Sequence, residues 1–235
     1  MCVWFKRKRL VLMVTILILS FAAAESVWGI SQIWKGIWES DSVIVIDAGH
    51  GGTDPGAISQ NGIVLEKEIN LEIAKQLQGY LQEAGYTVVM TRTEDQDLAG
   101  DTEGRRKTAD MKERIRIMEE AKVNVLISIH QNSYPETQYQ GPQVFFQSHS
   151  EEAAALALMV QTEMNSFTAP GNQREAKAAA DYYILKNAPM TAILVECGFV
   201  SNPEEALLLT EQEYQKKIAW GIYCGVEKYL QSAGL

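Results

Sequence analysis

Short β-branched runs alternate along this chain with segments of helical hydrophobic period, and that alternation restricts the fold more than any other feature. Ser42 to Asp47 (SVIVID), Tyr86 to Thr91, Asn124 to His130 (NVLISIH), Gln143 to Gln147, Tyr182 to Leu185 and Ala192 to Glu196 read as strands. Between them, Ile69, Ile73, Leu77 and Leu81 recur every four residues, so Glu66 to Ala84 reads as an amphipathic helix closed by Gly85. Met111, Ile115 and Met118 mark a second helix, and Glu151 to Ser166 a third. Asn202-Pro203-Glu204-Glu205 supplies an N-cap, a proline at the first helical position and a glutamate at N3, and Tyr214, Ile218, Ile222 and Val226 carry the last helix. Strands and helices in alternation call for an α/β sheet covered on both faces.

In open sheets of this kind, ligands bind beyond the carboxyl ends of the strands. Four residues then stand out. His50 follows the first strand within a glycine-rich turn, Gly49-His50-Gly51-Gly52; His130 ends the third strand; Glu196 ends the last; and Glu66 opens the first helix. Taken singly, each has a plain structural explanation. A histidine can bond to loop backbone or sit satisfied in a core, Glu196 can form an ion pair at a sheet edge, and an acid in a helix's first turn offsets the dipole. Their joint placement favours chemistry. A catalytic zinc takes about three protein ligands and keeps one position open for water, which two histidines and Glu66 would satisfy. A glutamate at the end of an apolar strand costs stability, which argues for a functional role. The intervals of 16, 64 and 66 residues between successive members form no compact motif. The third histidine, His149, is expected on the surface at a helix start, with Ser148 and Glu151 spaced like a capping box.

The amino terminus is of another kind. Lys6 to Arg9 are basic, and Leu10 to Ala24 are apolar except for Thr15 and Ser20. A helix of that length spans about 22 Å, less than the roughly 30 Å of a hydrocarbon core. It suits a signal-peptide h-region, with Ala22-Ala23-Ala24 as cleavage site. Val27, Ile30, Trp34 and Ile37 share a helical face, with Trp28 and Trp38 nearby, which equally suits an uncleaved anchor with an interfacial linker. Residues 1–40 are thus a membrane anchor or signal segment, residues 41–235 one exported domain, and the location extracytoplasmic. The whole chain carries −9; setting aside the four basic tail residues leaves 17 Lys and Arg against 30 Asp and Glu, or −13. So acidic a domain is a poor ligand for nucleic acid. Cys2 lies in the tail, and Cys197 and Cys224 are read as small apolar residues rather than a disulfide.

Ile46-Asp47-Ala48-Gly49-His50-Gly51-Gly52-Thr53-Asp54-Pro55-Gly56-Ala57 resembles the opening motif of the amidase_3 family, the zinc-dependent N-acetylmuramoyl-L-alanine amidases. Leu65-Glu66-Lys67 with Asn70-Leu71 resembles its second motif, Ser128-Ile129-His130-Gln131-Asn132 its third, and Val195-Glu196-Cys197-Gly198-Phe199 with Ser201-Asn202 its fourth. Thr91-Arg92 followed by Asp95 resembles a further family pattern, and the likeness runs over about residues 42 to 230 in the family's order. The resemblance implies a twisted mixed, largely parallel sheet. It also implies zinc held by His50, Glu66 and His130, with Glu196 as the catalytic carboxylate. The substrate it implies is a peptidoglycan glycan strand bearing stem peptides, cut between N-acetylmuramic acid and L-alanine. More narrowly, the chain is similar to germination-specific spore-cortex amidases: one N-terminal membrane segment, no wall-binding repeats, and an insert at Leu98 to Lys107. An activating or anchoring protein partner is compatible with such an enzyme.

Two other readings share these residues. A zinc exopeptidase would use the same metal set on peptides. A catalytically inactive wall-binding module would be expected to have lost a ligand, and this chain keeps all four residues. Arg105-Arg106-Lys107 is the densest basic run of the domain: either a solvated helix start, or a group beside the groove that meets stem-peptide carboxylates.

Overall fold

The computed structural model describes residues 42–100, 104–121 and 124–235, which fall in one compact unit. The N-terminal basic cluster, apolar run and tryptophan-bearing segment lie outside the described residues. Among the described residues, no helix is long and apolar enough to cross a membrane.

Six strands form a single sheet: β1 (Val43–Ala48), β2 (Thr87–Met90), β3 (Val125–Asn132), β4 (Gln143–Gln147), β5 (Lys177–Ala179) and β6 (Thr191–Phe199), in the order β2-β1-β3-β6-β4-β5. β2, β1, β3 and β6 are mutually parallel; β4 pairs antiparallel with β6, and β5 runs parallel to β4. The sheet is therefore mixed and largely parallel, as expected. Among the described residues six helices accompany it: α1 (Glu66–Glu83), α2 (Arg106–Glu120), α3 (Glu151–Thr168), α4 (Tyr183–Asn187), α5 (Pro203–Leu208) and α6 (Gln212–Ala233).

The period-two alternation of the strands divides the core into two layers. Ile44 and Ile46 of β1 join Ile127 and Ile129 of β3, packed with Ile73 and Leu77 of α1, Val160 of α3 and Ile222 of α6. The intervening Val45 and Leu126 face the other way, against Met118 of α2 and Ile184 and Leu185 of α4. Helices thus cover both faces. On the first face α6 lies very close to α3, because a Cβ at Gly225 would come within 2.4 Å of the Val160 Cα.

Three local expectations are corrected. Tyr182 to Leu185 is no strand: Tyr183 opens α4, and the edge strand is Lys177–Ala179. The Lys186 and Ala188 amides donate to the Tyr182 and Ile184 carbonyls at 3.0 and 2.9 Å, the i to i−4 bonds of a helical turn. At α3 the cap is Ser150, whose side chain accepts from the Ala153 amide, so the box based on Ser148 is displaced by two residues. His149 is exposed, as expected, with φ +70°. The second helix begins at Arg106, inside the stretch read as insert. Cys197 is buried, and both it and Cys224 are free thiols.

Candidate active site

Strand polarity brings the chemistry to one end of the sheet. β1 and β3 run side by side, so their carboxyl ends carry His50 and His130 to the same edge. α1 starts there too, because the chain returns from the glycine-rich loop to begin helix at Glu66; the Glu66 amide donates to the Ala57 carbonyl and the Lys67 amide to Pro55. β6 lies next to β3 with Glu196 in register with His130.

His50, Glu66 and His130 converge so that one ligating atom from each lies within 4.8 Å of the others. The Glu66 Oε1 sits 3.2 Å from the His50 Nε2 and 3.0 Å from the His130 Nδ1. Two imidazole nitrogens and one carboxylate oxygen at this separation are the donor set of a catalytic zinc site, so the residues fit the ion. The other Glu66 oxygen accepts from the Ala57 amide at 2.7 Å. Burial opposes ionisation of Glu66, yet the bonds to His130 and His50 hold its carboxyl well below the usual carboxylate range. His50 has φ +61°, a conformation that non-glycine residues seldom adopt. Gly49 is needed just before it: a Cβ there would lie 2.3 Å from the His130 ring.

Glu196 is 7% exposed. Its Oε1 accepts from the Tyr182 hydroxyl at 3.3 Å, and its Oε2 has no partner. Burial pushes its carboxyl up to about 7, with the Glu66 charge adding to the effect and His130 and Tyr182 opposing it. Glu196 and the three clustered residues line one cavity of about 570 Å³ together with Lys107, Asp181 and Tyr182. A larger cavity of about 700 Å³, around Asn172, Arg174 and Glu205, contains none of these residues.

Several site residues were not anticipated. Asp54 holds the His50 Nδ1 through its Oδ2 at 3.0 Å, orienting the ring as carboxylates do behind metal-bound histidines. It stands in the glycine-rich loop four residues after His50, which was the available signal. Tyr182 stands at the entry to α4 and not in a strand, which turns its hydroxyl to Glu196. Asn70 donates to Glu66 Oε1 and to the Gly49 carbonyl, both at 3.2 Å, and Gln131 donates to Asn70. Beneath the loop, the buried Arg114 pairs with Asp47 at 2.6 Å and donates to the His50 carbonyl at 2.9 Å. Of the basic run, Arg106 pairs with Asp97, while Lys107 lines the cavity, 3.7 Å from Asp54.

Residues 44–228 match the family described as N-acetylmuramoyl-L-alanine amidase. The chain belongs to this family. It is 38% identical over 198 residues to the germination-specific N-acetylmuramoyl-L-alanine amidase of Bacillus subtilis (strain 168), covering 83% of this chain and 82% of that protein. Among solved amidases, it resembles the CwlD amidase from Clostridioides difficile, determined in complex with the GerS lipoprotein. That match has a TM-score of 0.79 and 36% identity, covering 82% of this chain and 100% of that one. The N-acetylmuramoyl-L-alanine amidase AmiC2 of Nostoc punctiforme follows the same fold, with a TM-score of 0.70 and 31% identity over 82% of this chain and 99% of that one.

Proposed function

We propose that this amidase hydrolyses the bond between N-acetylmuramic acid and L-alanine in peptidoglycan with a zinc ion held by His50, Glu66 and His130. The observation that carries the reading is the placement of the buried Glu196, whose Oε2 has no partner, in the same cavity as a three-residue set able to hold a metal. Zinc, when bound, supplies a Lewis acid and lowers the pKa of water. Glu196 handles the protons. Its free Oε2 takes one from the attacking water and returns it to the alanine nitrogen as the C–N bond breaks, leaving a lactyl carboxylate and a peptide with a free amino terminus. Tyr182 keeps the other carboxylate oxygen turned aside. Asp54 fixes the His50 ring, so that Nε2 faces the ligand cluster.

The proposed setting is the spore cortex, outside the cytoplasmic membrane, supported by likeness to a germination-specific relative over most of both chains. Residues 1–40, with their basic cluster and apolar run, would serve as anchor or signal segment for the catalytic domain that follows. A lipoprotein partner is part of this setting, on the ground that a similar amidase was solved in complex with one.

The test is digestion of purified peptidoglycan by the full-length chain, with and without chelator, followed by mass spectrometry of the new ends. Stem peptides beginning with L-alanine, released only when zinc is present, are expected. Release of single amino acids would point to an exopeptidase, and unchanged peptidoglycan to a binding module; either outcome overturns the amidase reading.

A further inference from the structure

Arg92 is 2% exposed, and its guanidinium is spent on backbone. Its Nε donates to the Ala48 carbonyl at 2.9 Å, Nη2 to Gly49 at 3.0 Å and to Lys67 at 2.8 Å, and Nη1 to Glu94 at 3.1 Å. No carboxylate oxygen is among these partners. A buried cation is ordinarily paired with a carboxylate, so an arginine committed to carbonyls alone needs a reason for being kept.

The identity of the carbonyls supplies it. Ala48 and Gly49 immediately precede His50, and Lys67 immediately follows Glu66. One planar guanidinium therefore ties the end of β1 to the start of α1, next to two of the three clustered residues. The fork is rigid, and its donors diverge at fixed angles, which a lysine ammonium cannot reproduce. Asn70 reinforces the tie by bonding both the Gly49 carbonyl and Glu66 Oε1.

We propose that Arg92 is a positioning residue that presets the separation of His50 and Glu66, so that the metal enters a site already built rather than assembling it. The proposal rests on the metal-site reading given above. A preset site spares the ion the cost of ordering the loop, and that saving shows as affinity.

The experiment is zinc competition between the metal-free full-length chain and a chromophoric chelator. Arg92→Lys keeps the charge but cannot span the carbonyls. It should bind zinc roughly 10–100-fold more weakly, the range for loss of a group that orients metal ligands. Its cobalt-substituted form should show a changed visible spectrum. Arg116→Gln, altering an exposed arginine paired with Glu113 and Glu120, should match wild type. Ile218→Val, a core change away from the site, should lower the melting temperature without moving zinc affinity. A second arm uses only the wild-type chain: amide hydrogen exchange at Gly49, Gly51 and Lys67 should be as slow without zinc as with it. Wild-type affinity in Arg92→Lys, or amides that become protected only on adding zinc, would overturn the proposal. A wild-type chain that binds no zinc, or a Glu66→Gln variant that binds it undiminished, would overturn the metal reading itself.

Discussion

His130 and Glu196 occupy registered positions on the neighbouring parallel strands β3 and β6. Registered residues of a parallel pair project from the same face about one strand spacing apart, roughly 4.8 Å. The sheet thus sets the carboxylate proposed to handle protons beside a metal-ligand candidate without drawing it into the cluster, which His50, Glu66 and His130 form without it. The division of labour proposed for the two glutamates rests on this backbone geometry.

Substituting each glutamate by glutamine separates those roles. Glu196→Gln preserves shape and removes the titratable group. It should keep its zinc and lose activity by about 10²–10⁴-fold, the usual worth of general acid–base assistance. Glu66→Gln puts a neutral amide where two histidines expect a carboxylate, and both zinc and activity should fall. Elemental analysis and turnover on the same samples decide it; near wild-type turnover by Glu196→Gln would sink the mechanism.

Asp54 gives a prediction that the sequence reading alone did not offer. Its carboxylate accepts from the His50 Nδ1, leaving Nε2 free for the proposed ion. Asp54→Asn should fold normally, yet bind zinc about 10–100-fold more weakly, the usual effect of losing such a partner. Chelator competition measures it, and undiminished affinity would show that the backbone alone orients the ring.

The residues legible in the sequence were those fixed by local pattern. β1, β3 and β6 announced themselves as β-branched runs, and strand polarity then located His50, His130 and Glu196. Asp54, Asn70, Tyr182 and Arg114 were not legible as site residues, because their partners lie on other elements or depend on loop geometry. Arg114 is the clearest case. It sits on a helix whose charged residues suggest a solvated surface, yet it is 2% exposed, because Asp47 from β1 awaits it inside. The short helix at Tyr183–Asn187 failed for another reason: five residues carry too little periodicity to separate a helical turn from an edge strand.

Lys107 is the part of the basic run that faces the groove, since Arg106 is turned to Asp97. Lys107→Ala should raise KM severalfold on peptidoglycan with kcat nearly unchanged, as expected when binding common to ground and transition states is removed. The effect should fade with added salt, because Lys107 is 77% exposed. Unchanged KM at low ionic strength would reduce the run to a solvated helix start.

The Asp47–Arg114 pair makes acid stability a further test. Burial opposes ionisation of Asp47, but the Arg114 guanidinium, the Ser128 hydroxyl and the nearby His130 outweigh it and hold the carboxyl at about 2, against an ordinary 3.8. Because the folded value lies below the unfolded one, the pair's contribution is complete above the ordinary value and drains away as pH falls towards 2. The difference corresponds to about 2 kcal/mol by linkage. Asp47→Asn leaves Arg114 with Asp110, 2.8 Å from its Nε, as the remaining carboxylate, so the loss should be near the linkage value of about 2 kcal/mol. Its unfolding free energy at neutral pH should drop accordingly, while the part of the wild-type decline that Asp47 causes below pH 4 disappears. Urea unfolding of both chains between pH 7 and pH 2 measures the two effects together. Parallel acid declines in the two chains would show that Asp47 does not carry this share of the stability.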